Sequence, residues 1–333
     1  VDHVNDHGSF TDPIRQTNLC VEITLPTRPM AYPTPEELGE ISLCTLAAVN
    51  WGKIREPSDF ARPCDLLVRA LNELLDYQDY PVEAARASTM ARRPLGIGII
   101  NLAYWMAREG ITYQGVDEAG LSRLHAYAEA WSYYLIKSSC DLATERGLQV
   151  LGSKYTDGTV PIDTYKRTVD DLVAPTYAYD WDQLRRDLKA KGIANSTLMA
   201  QMPAETSAQV SNSTNGIEPP RALVSIKQSK DGVLKQVVPD IKRLKRKYDL
   251  LWDQKSPAGY LKICAVLQKF MDQSISVNTS YDPRNYPDGK IPMSVLLGDM
   301  LTFYKYGGKS LYYFNTNDGA GEVEATPVAV EET

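Results

Sequence analysis

The chain has 333 residues, of which 43% are hydrophobic and 23% charged, a globular composition and not that of a disordered chain. Its formal net charge of -6 gives no electrostatic reason to bind nucleic acid through the backbone. At roughly 150 residues per domain the length predicts about two domains, or one large domain with an insertion, each able to bury a substantial core.

In chain order, the start Val1-Asp2-His3-Val4 has neither the basic nor the apolar region of a signal peptide, and no initiator Met. A piece of a longer cytoplasmic chain is expected. Asn18 to Leu25 alternates strictly, with Leu19, Val21, Ile23 and Leu25 on one face and Asn18, Cys20, Glu22 and Thr24 on the other. The side-chain period of a strand is two, so Asn18, Cys20 and Glu22 are predicted to project to one side, with Pro26 and Pro29 ending the strand. Glu40 to Leu46, carrying Cys44, is a second short strand candidate. Leu66, Leu67, Leu71, Leu74 and Leu75 recur at helical spacing and predict an amphipathic helix of about five turns. Leu95 to Ala107 is the longest apolar run, interrupted by Gly96, Gly98 and Asn101. It falls short of the ~20 residues of a membrane span and reads as a buried strand or helix start. A helix is predicted from about Gly120 to Arg146, with Gly147 as its stop. Strand, helix and loop alternate, which predicts an α/β architecture.

Further on, Leu223 to Ile226 and Val233 to Val238 flank Lys230-Asp231-Gly232, a strong hairpin signal. Helical patterns follow at Asp240 to Trp252 and Tyr260 to Ser274, and 217–290 reads as a small α+β insert. The basic run Lys242, Arg243, Lys245, Arg246 and Lys247 reads as a solvated helical face. The tail 319–333 is acidic with small residues and is expected to be flexible.

Cys20, Cys44, Cys64, Cys140 and Cys264 are odd in number and widely spaced, without a CxxC or Cys/His cluster. That argues against a zinc site and against a secreted disulfide scaffold, and no metal ligands are expected. Cys20 on a strand reads either as a small buried hydrophobe or, beside Glu22 and Asn18, as part of a redox or acid–base site. Gly96-Ile97-Gly98 lacks the third glycine of a dinucleotide fingerprint and reads as close backbone packing. Gly307-Gly308-Lys309-Ser310 lacks the upstream glycine of a phosphate loop. Glu205, Thr206 and Ser207 follow Pro203 as a helix start, which serves equally for ordinary capping or for phosphate binding. Tyr312 and Tyr313 read equally as a strand within the core.

Several segments, in this order, resemble the large, catalytic subunit of class I (aerobic) ribonucleotide reductases. They are Asn18-Leu19-Cys20-Val21-Glu22, Leu43-Cys44-Thr45-Leu46 and Leu74-Leu75-Asp76-Tyr77-Gln78-Asp79-Tyr80-Pro81. Pro203-Ala204-Glu205-Thr206-Ser207 through Asn215-Gly216-Ile217-Glu218-Pro219-Pro220-Arg221, then Asp272-Gln273-Ser274-Ile275-Ser276 and Leu311-Tyr312-Tyr313, complete the series. The likeness runs from about residue 1 to about residue 320.

The resemblance implies the later half of a ten-stranded α/β barrel. Residues 1–216 would be barrel with the active-site loop, 217–290 the insert, and 291–318 the final strand region with the tyrosine pair. It implies that Cys20 becomes the thiyl radical that removes the ribose 3′ hydrogen and that Glu22 takes the 3′-hydroxyl proton. Asn18 would bond the ribose hydroxyls, and Cys44 would be half of the reducing dithiol. Tyr312 and Tyr313 would carry the radical to Cys20, and Glu205, Thr206 and Ser207 would bind the substrate diphosphate. No cofactor is expected on this chain. A diiron-type radical cofactor is expected in a partner small subunit, with thioredoxin or glutaredoxin as reductant. The expected partners are a ribonucleoside diphosphate, the N-terminal half of the large subunit, the small subunit and a second large subunit. No nucleic acid or membrane partner is expected. The family's other redox cysteine and its cysteine-bearing tail have no counterpart here, and Ala204 stands where a serine is common. A non-catalytic scaffold relic that pairs with reductase subunits is the rival reading.

Overall fold

The computed structural model describes residues 2–30, 39–229 and 232–317. The acidic tail expected at 319–333 lies outside them. A short helix α1 (Asp2–Asp6) opens the chain. The segment 18–25 is not the predicted strand. Asn18 starts a tight turn in which its carbonyl accepts the Val21 N–H (3.2 Å) and its Oδ1 accepts the Ile23 N–H (3.0 Å). Asparagine competes for backbone donors in this way, and here it overrides the alternating pattern. Val21 sits at φ 61°.

The second strand is displaced as well. Glu40 makes only an isolated bridge with Arg28, and β1 runs Leu46–Asn50, two residues beyond Cys44. Helix α2 (Ala61–Tyr77) matches the predicted length, but Cys64, Val68, Leu71 and Leu75 form its buried face while Leu66 and Leu74 face solvent. Helix α3 (Glu83–Arg92) stops at Arg93 in the left-handed region. Two hydrogen bonds to Asp76, at 2.8 and 2.6 Å, hold that guanidinium.

The apolar run after it serves as both strand and helix start: β2 (Gly96–Ile100) is wholly buried, and α4 (Leu102–Glu109) follows. A Cβ on Gly98 would fall 2.8 Å from the Ala200 carbonyl, so the close-packing reading of these glycines holds. Helix α5 (Glu118–Arg146) ends at Gly147 in the left-handed conformation, as the sequence predicts, and starts two residues earlier than expected behind an Asp117 cap. It is the central buried helix. Its Glu129 accepts from the backbone of Ala178 and Tyr179 and from the Trp181 indole.

After α6 (Pro161–Thr164), α7 (Trp181–Lys191) packs on α5. Then come α8 (Glu205–Val210) and an antiparallel hairpin, β3 (Val224–Ser229) with β4 (Gly232–Val237), as the Asp-Gly signal predicts. The predicted helix over 240–252 shrinks to α9 (Ile241–Leu244), with its basic residues exposed. Helix α10 (Ala258–Gln268) belongs to the main core against α5, not with the hairpin. It ends before the predicted Ser274, and the chain continues extended into β5 (Thr279–Tyr281), α11 (Met293–Lys305) and β6 (Phe314–Thr316).

The parallel pairs β1·β2 and β5·β6 are linked by two parallel bridges, Ile97 with Met199 and Gln201 with Ile275. Five parallel extended segments therefore lie side by side in chain order: 46–50, 96–100, 197–201, 273–281 and 314–316. Helices fill each crossover, the α/β pattern. Among the described residues this array does not close into a ring.

Polar side chains complete the array where backbone pairing is sparse. Gln201 bonds both ways to the Ile99 backbone, at 2.8 and 3.1 Å. The Gln273 amide bridges Thr24 N–H and the Leu95 carbonyl. The buried Asp272 carboxylate accepts the N–H groups of Leu198 (2.8 Å) and Met199 (2.9 Å) and the Tyr155 hydroxyl (2.8 Å). Burial pushes this carboxyl up, opposed by those donors. Asp272→Ala strands three buried donors and is expected to lower unfolding stability by about 4 kcal/mol. A urea-denaturation loss below about 1 kcal/mol would show that the carboxylate is not structural.

Candidate functional site

The turn at 18–23 presents Cys20, half-buried, at its tip. Two features place it. Its C-terminal leg lies against the array, with the Ser274 N–H donating to the Glu22 carbonyl (3.0 Å). The Ser276 hydroxyl is 2.5 Å from the Cys20 carbonyl and 3.0 Å from Glu22 Oε2. Glu22 is buried at 1% exposure. Val21 in the left-handed region stores strain of ~1–2 kcal/mol that these outside contacts must hold.

Cys44 arrives from the start of β1, and Asn18 Nδ2 lies 3.7 Å from its Sγ. The thiol reaches solvent at the rim, yet its surroundings act on its ionisation. Burial raises its pKa first, then the Glu22 charge, while the Asn18 contact pulls it down and Cys20 adds a smaller rise. Asn18, Cys20, Glu22 and Cys44 thus converge although the predicted strand does not exist. The turn, not an extended face, brings them together.

The tyrosine pair is not a core strand. Tyr313 is 56% exposed, and both residues precede β6. The Tyr312 N–H pairs with the Val277 carbonyl (2.7 Å), but the Tyr313 N–H goes to Asn278 Oδ1 (3.1 Å). Neighbours in a regular strand point to opposite faces. Here the regular pairing breaks and the two rings face each other, with centroids 3.9 Å apart and planes inclined by 41°.

The Tyr312 hydroxyl lies 3.6 Å from Cys20 Sγ and 3.2 Å from the Tyr313 hydroxyl. The Tyr312 hydroxyl is placed to donate to either neighbour, and a phenol has one proton, so it donates to Tyr313 or to Cys20 and not to both at once. These hydrogen bonds, Tyr313 first, raise the Tyr312 pKa above its ordinary value.

Glu205, Thr206 and Ser207 form the exposed first turn of α8. Its N-cap residue is Ala204, which makes no side-chain cap. Glu205 borders a cavity of about 160 Å³ with Asn215, Glu218 and Arg221. A smaller cavity of about 30 Å³ joins Met202 and Pro203, just before α8, to Ser276 and Asn278. Asn278 donates to Glu218 Oε1 (2.6 Å) while holding the Tyr313 N–H.

Ser276, Asn278 and Glu218 were not singled out as site residues in the sequence. Ser274-Ile275-Ser276-Val277-Asn278 alternates polar with apolar, and that period of two was the available signal.

A parallel α/β array thus carries two thiols, a carboxylate and a tyrosine pair grouped at one place. The chain belongs to the ribonucleotide reductase family: the model described as "Ribonucleotide reductase, barrel domain" matches residues 1–314. Curated relatives agree. The chain is similar to the ribonucleoside-diphosphate reductase subunit alpha of Haemophilus influenzae, with 53% identity over 97% of this chain and 43% of that protein. The ribonucleoside-diphosphate reductase 1 subunit alpha of Escherichia coli is 50% identical over the same shares, 97% and 43%. The alpha subunit of Enterobacteria phage T4 is 43% identical over 96% of this chain and 43% of its own length. The chain therefore spans less than half the length of the curated relatives it matches.

The electrostatics of Cys44 can be tested by alkylation resolved by mass spectrometry at pH 8. Glu22→Gln removes a charge that raises the thiol pKa and is expected to speed Cys44 alkylation. Asn18→Leu removes a stabilising contact and is expected to slow it. Equal rates in all three proteins would show that neither group governs the thiol.

Proposed function

We propose that this chain is the catalytic barrel portion of a class I ribonucleoside-diphosphate reductase large subunit. It would convert ribonucleoside diphosphates to 2′-deoxyribonucleoside diphosphates by thiyl-radical chemistry. The observation that carries the reading is the 3.6 Å contact between the Tyr312 hydroxyl and Cys20 Sγ, with the Tyr313 ring packed at a tilt against Tyr312. In that reading an oxidised Tyr312 takes the Cys20 hydrogen atom and leaves a thiyl radical. The thiyl takes the 3′ hydrogen of the ribose, and Glu22 takes the 3′-hydroxyl proton. The 2′-hydroxyl leaves as water. Two electrons and two protons come from a dithiol that becomes a disulfide, Cys44 giving one thiol. After reduction Cys20 returns the hydrogen to C3′ and is regenerated as the radical.

Asn18 would orient the ribose hydroxyls, and the first turn of α8, with Glu205, Thr206 and Ser207, would receive the diphosphate. The second thiol would come from the remaining length that the relatives carry. The partners would be that remainder of the large subunit, a second copy and a small subunit whose diiron-type cofactor starts the radical. Thioredoxin or glutaredoxin would supply reducing equivalents, in the cytoplasm. An assembled state is supported by α11, whose Met293, Leu297, Met300, Leu301 and Tyr304 expose an apolar stripe at helical spacing.

The test is cytidine diphosphate reduction by the chain reconstituted with the rest of the large subunit, the small subunit and a dithiol. Cys20→Ser and Tyr312→Phe are each expected to lower turnover by at least about 1,000-fold while the complex still forms. A complex that turns over equally well with Ser at position 20 would assign the chain to a scaffold role instead.

A further inference from the structure

Ser276 is buried on the extended run between the Gln201 bridge and β5, and nothing in the reading above uses it. Its hydroxyl faces two acceptors, the Cys20 carbonyl at 2.5 Å and Glu22 Oε2 at 3.0 Å. A serine hydroxyl has one proton and two lone pairs, so it cannot fully serve both while Glu22 is a carboxylate. The contest ends when Glu22 carries a proton. The Glu22 O–H then donates to Ser276 Oγ, and the Ser276 O–H donates to the Cys20 carbonyl. Both contacts become complete hydrogen bonds, and no proton is gained or lost beyond the one Glu22 has taken.

We infer that Ser276 is a positioning residue that couples the protonation of Glu22 to the hold on the Cys20 turn. The inference rests on the proposed function, because it needs Glu22 to cycle between charge states. The turn requires such a hold: Val21 is at positive φ, and the Cys20 to Tyr312 contact is made across it. The hold is loosest with Glu22 ionised, when substrate enters. It is tightest after Glu22 has accepted the 3′-hydroxyl proton, while the substrate radical awaits return of the Cys20 hydrogen.

The test uses the reconstituted complex with Ser276→Ala, Ser276→Thr and Ser276→Cys. Ser276→Ala is expected to lower kcat for cytidine diphosphate by about 30-fold with KM changed less than about twofold. Ser276→Thr keeps the hydroxyl and should restore kcat to within about threefold of wild type. If the alanine variant does not assemble, the Thr and Cys variants give the same contrast between a hydroxyl and a thiol. An alanine variant within about twofold of wild type, or a threonine variant as slow as the alanine or cysteine one, overturns the inference.

A second readout does not need turnover. Alkylation of Cys20, followed by mass spectrometry in the same complexes, is expected to be about tenfold faster in Ser276→Ala than in wild type or Ser276→Thr. Unchanged Cys20 alkylation overturns the hold on the turn even if the wild-type complex is inactive. An inactive wild-type complex by itself counts against the proposed function, and the two failures are thereby told apart.

Discussion

The structure depends on one junction, the pair Asp272 and Gln273. Asp272 takes the N–H groups of two residues in the neighbouring segment and a tyrosine hydroxyl from behind it. Gln273 joins the thiol segment at Thr24 to the end of the loop before β2 at Leu95. From the other side, Lys309 Nζ reaches the carbonyls of His7, Met271, Asp272 and Gln273 at 2.8–3.0 Å. Burial pulls that ammonium down to about 7. Four carbonyl acceptors act in the opposite direction and favour the protonated form, which alone can donate three hydrogen bonds. A backbone that turns from helix to extended strand at this point would leave several buried polar groups unmet. The three side chains meet them, and in doing so they fix where the thiol turn, the array and the tyrosine segment lie.

The catalytic geometry proposed here is a consequence of that placement. Tyr312 comes three residues after Lys309, so the anchor that holds the junction also sets where the ring can reach. The thiol turn is held at its C-terminal leg by Gln273 and Ser274 and at its tip by Ser276. A strained residue at positive φ persists only where its surroundings over-determine it. Here three residues of one extended segment, Gln273, Ser274 and Ser276, do so. Position, not sequence proximity, links Cys20 to residues nearly 300 places away.

The long elements were legible in the sequence, and the local geometry was not. The end of α5 at Gly147 was legible because a glycine stop is written in residue type. The hairpin was legible because the Asp-Gly signal sits between two strand-like runs. The 18–25 strand was misread because alternation carries no information about whether Asn18 spends its side chain on its own backbone. The α10 end was misread because apolar spacing continues past the point where Asp272 and Gln273 capture backbone partners from distant segments. Residue pairs such as Tyr312 with Cys20 depend on tertiary placement, and only a resemblance between whole ordered motifs pointed to them. Ser276 and Asn278 were readable in principle, since their alternation sits in a segment that is indeed extended. Nothing in the spacing said which face would carry the site.

The charges around Cys44 add a last constraint. Burial and the Glu22 carboxylate both disfavour its thiolate, whereas Asn18 favours it. A thiolate formed while Glu22 is ionised would place two negative charges near each other, and their repulsion disfavours that state. Neutralising Glu22 removes that repulsion. In the proposed reaction Glu22 becomes neutral once it has taken the 3′-hydroxyl proton, which is also when the dithiol must begin to give up protons and electrons. In that proposed reaction the arrangement disfavours the Cys44 thiolate before substrate is activated and disfavours it less afterwards. In that reaction no moving part is needed for this order of events: burial disfavours the thiolate throughout, and the neighbouring carboxylate adds a repulsion that its own protonation removes.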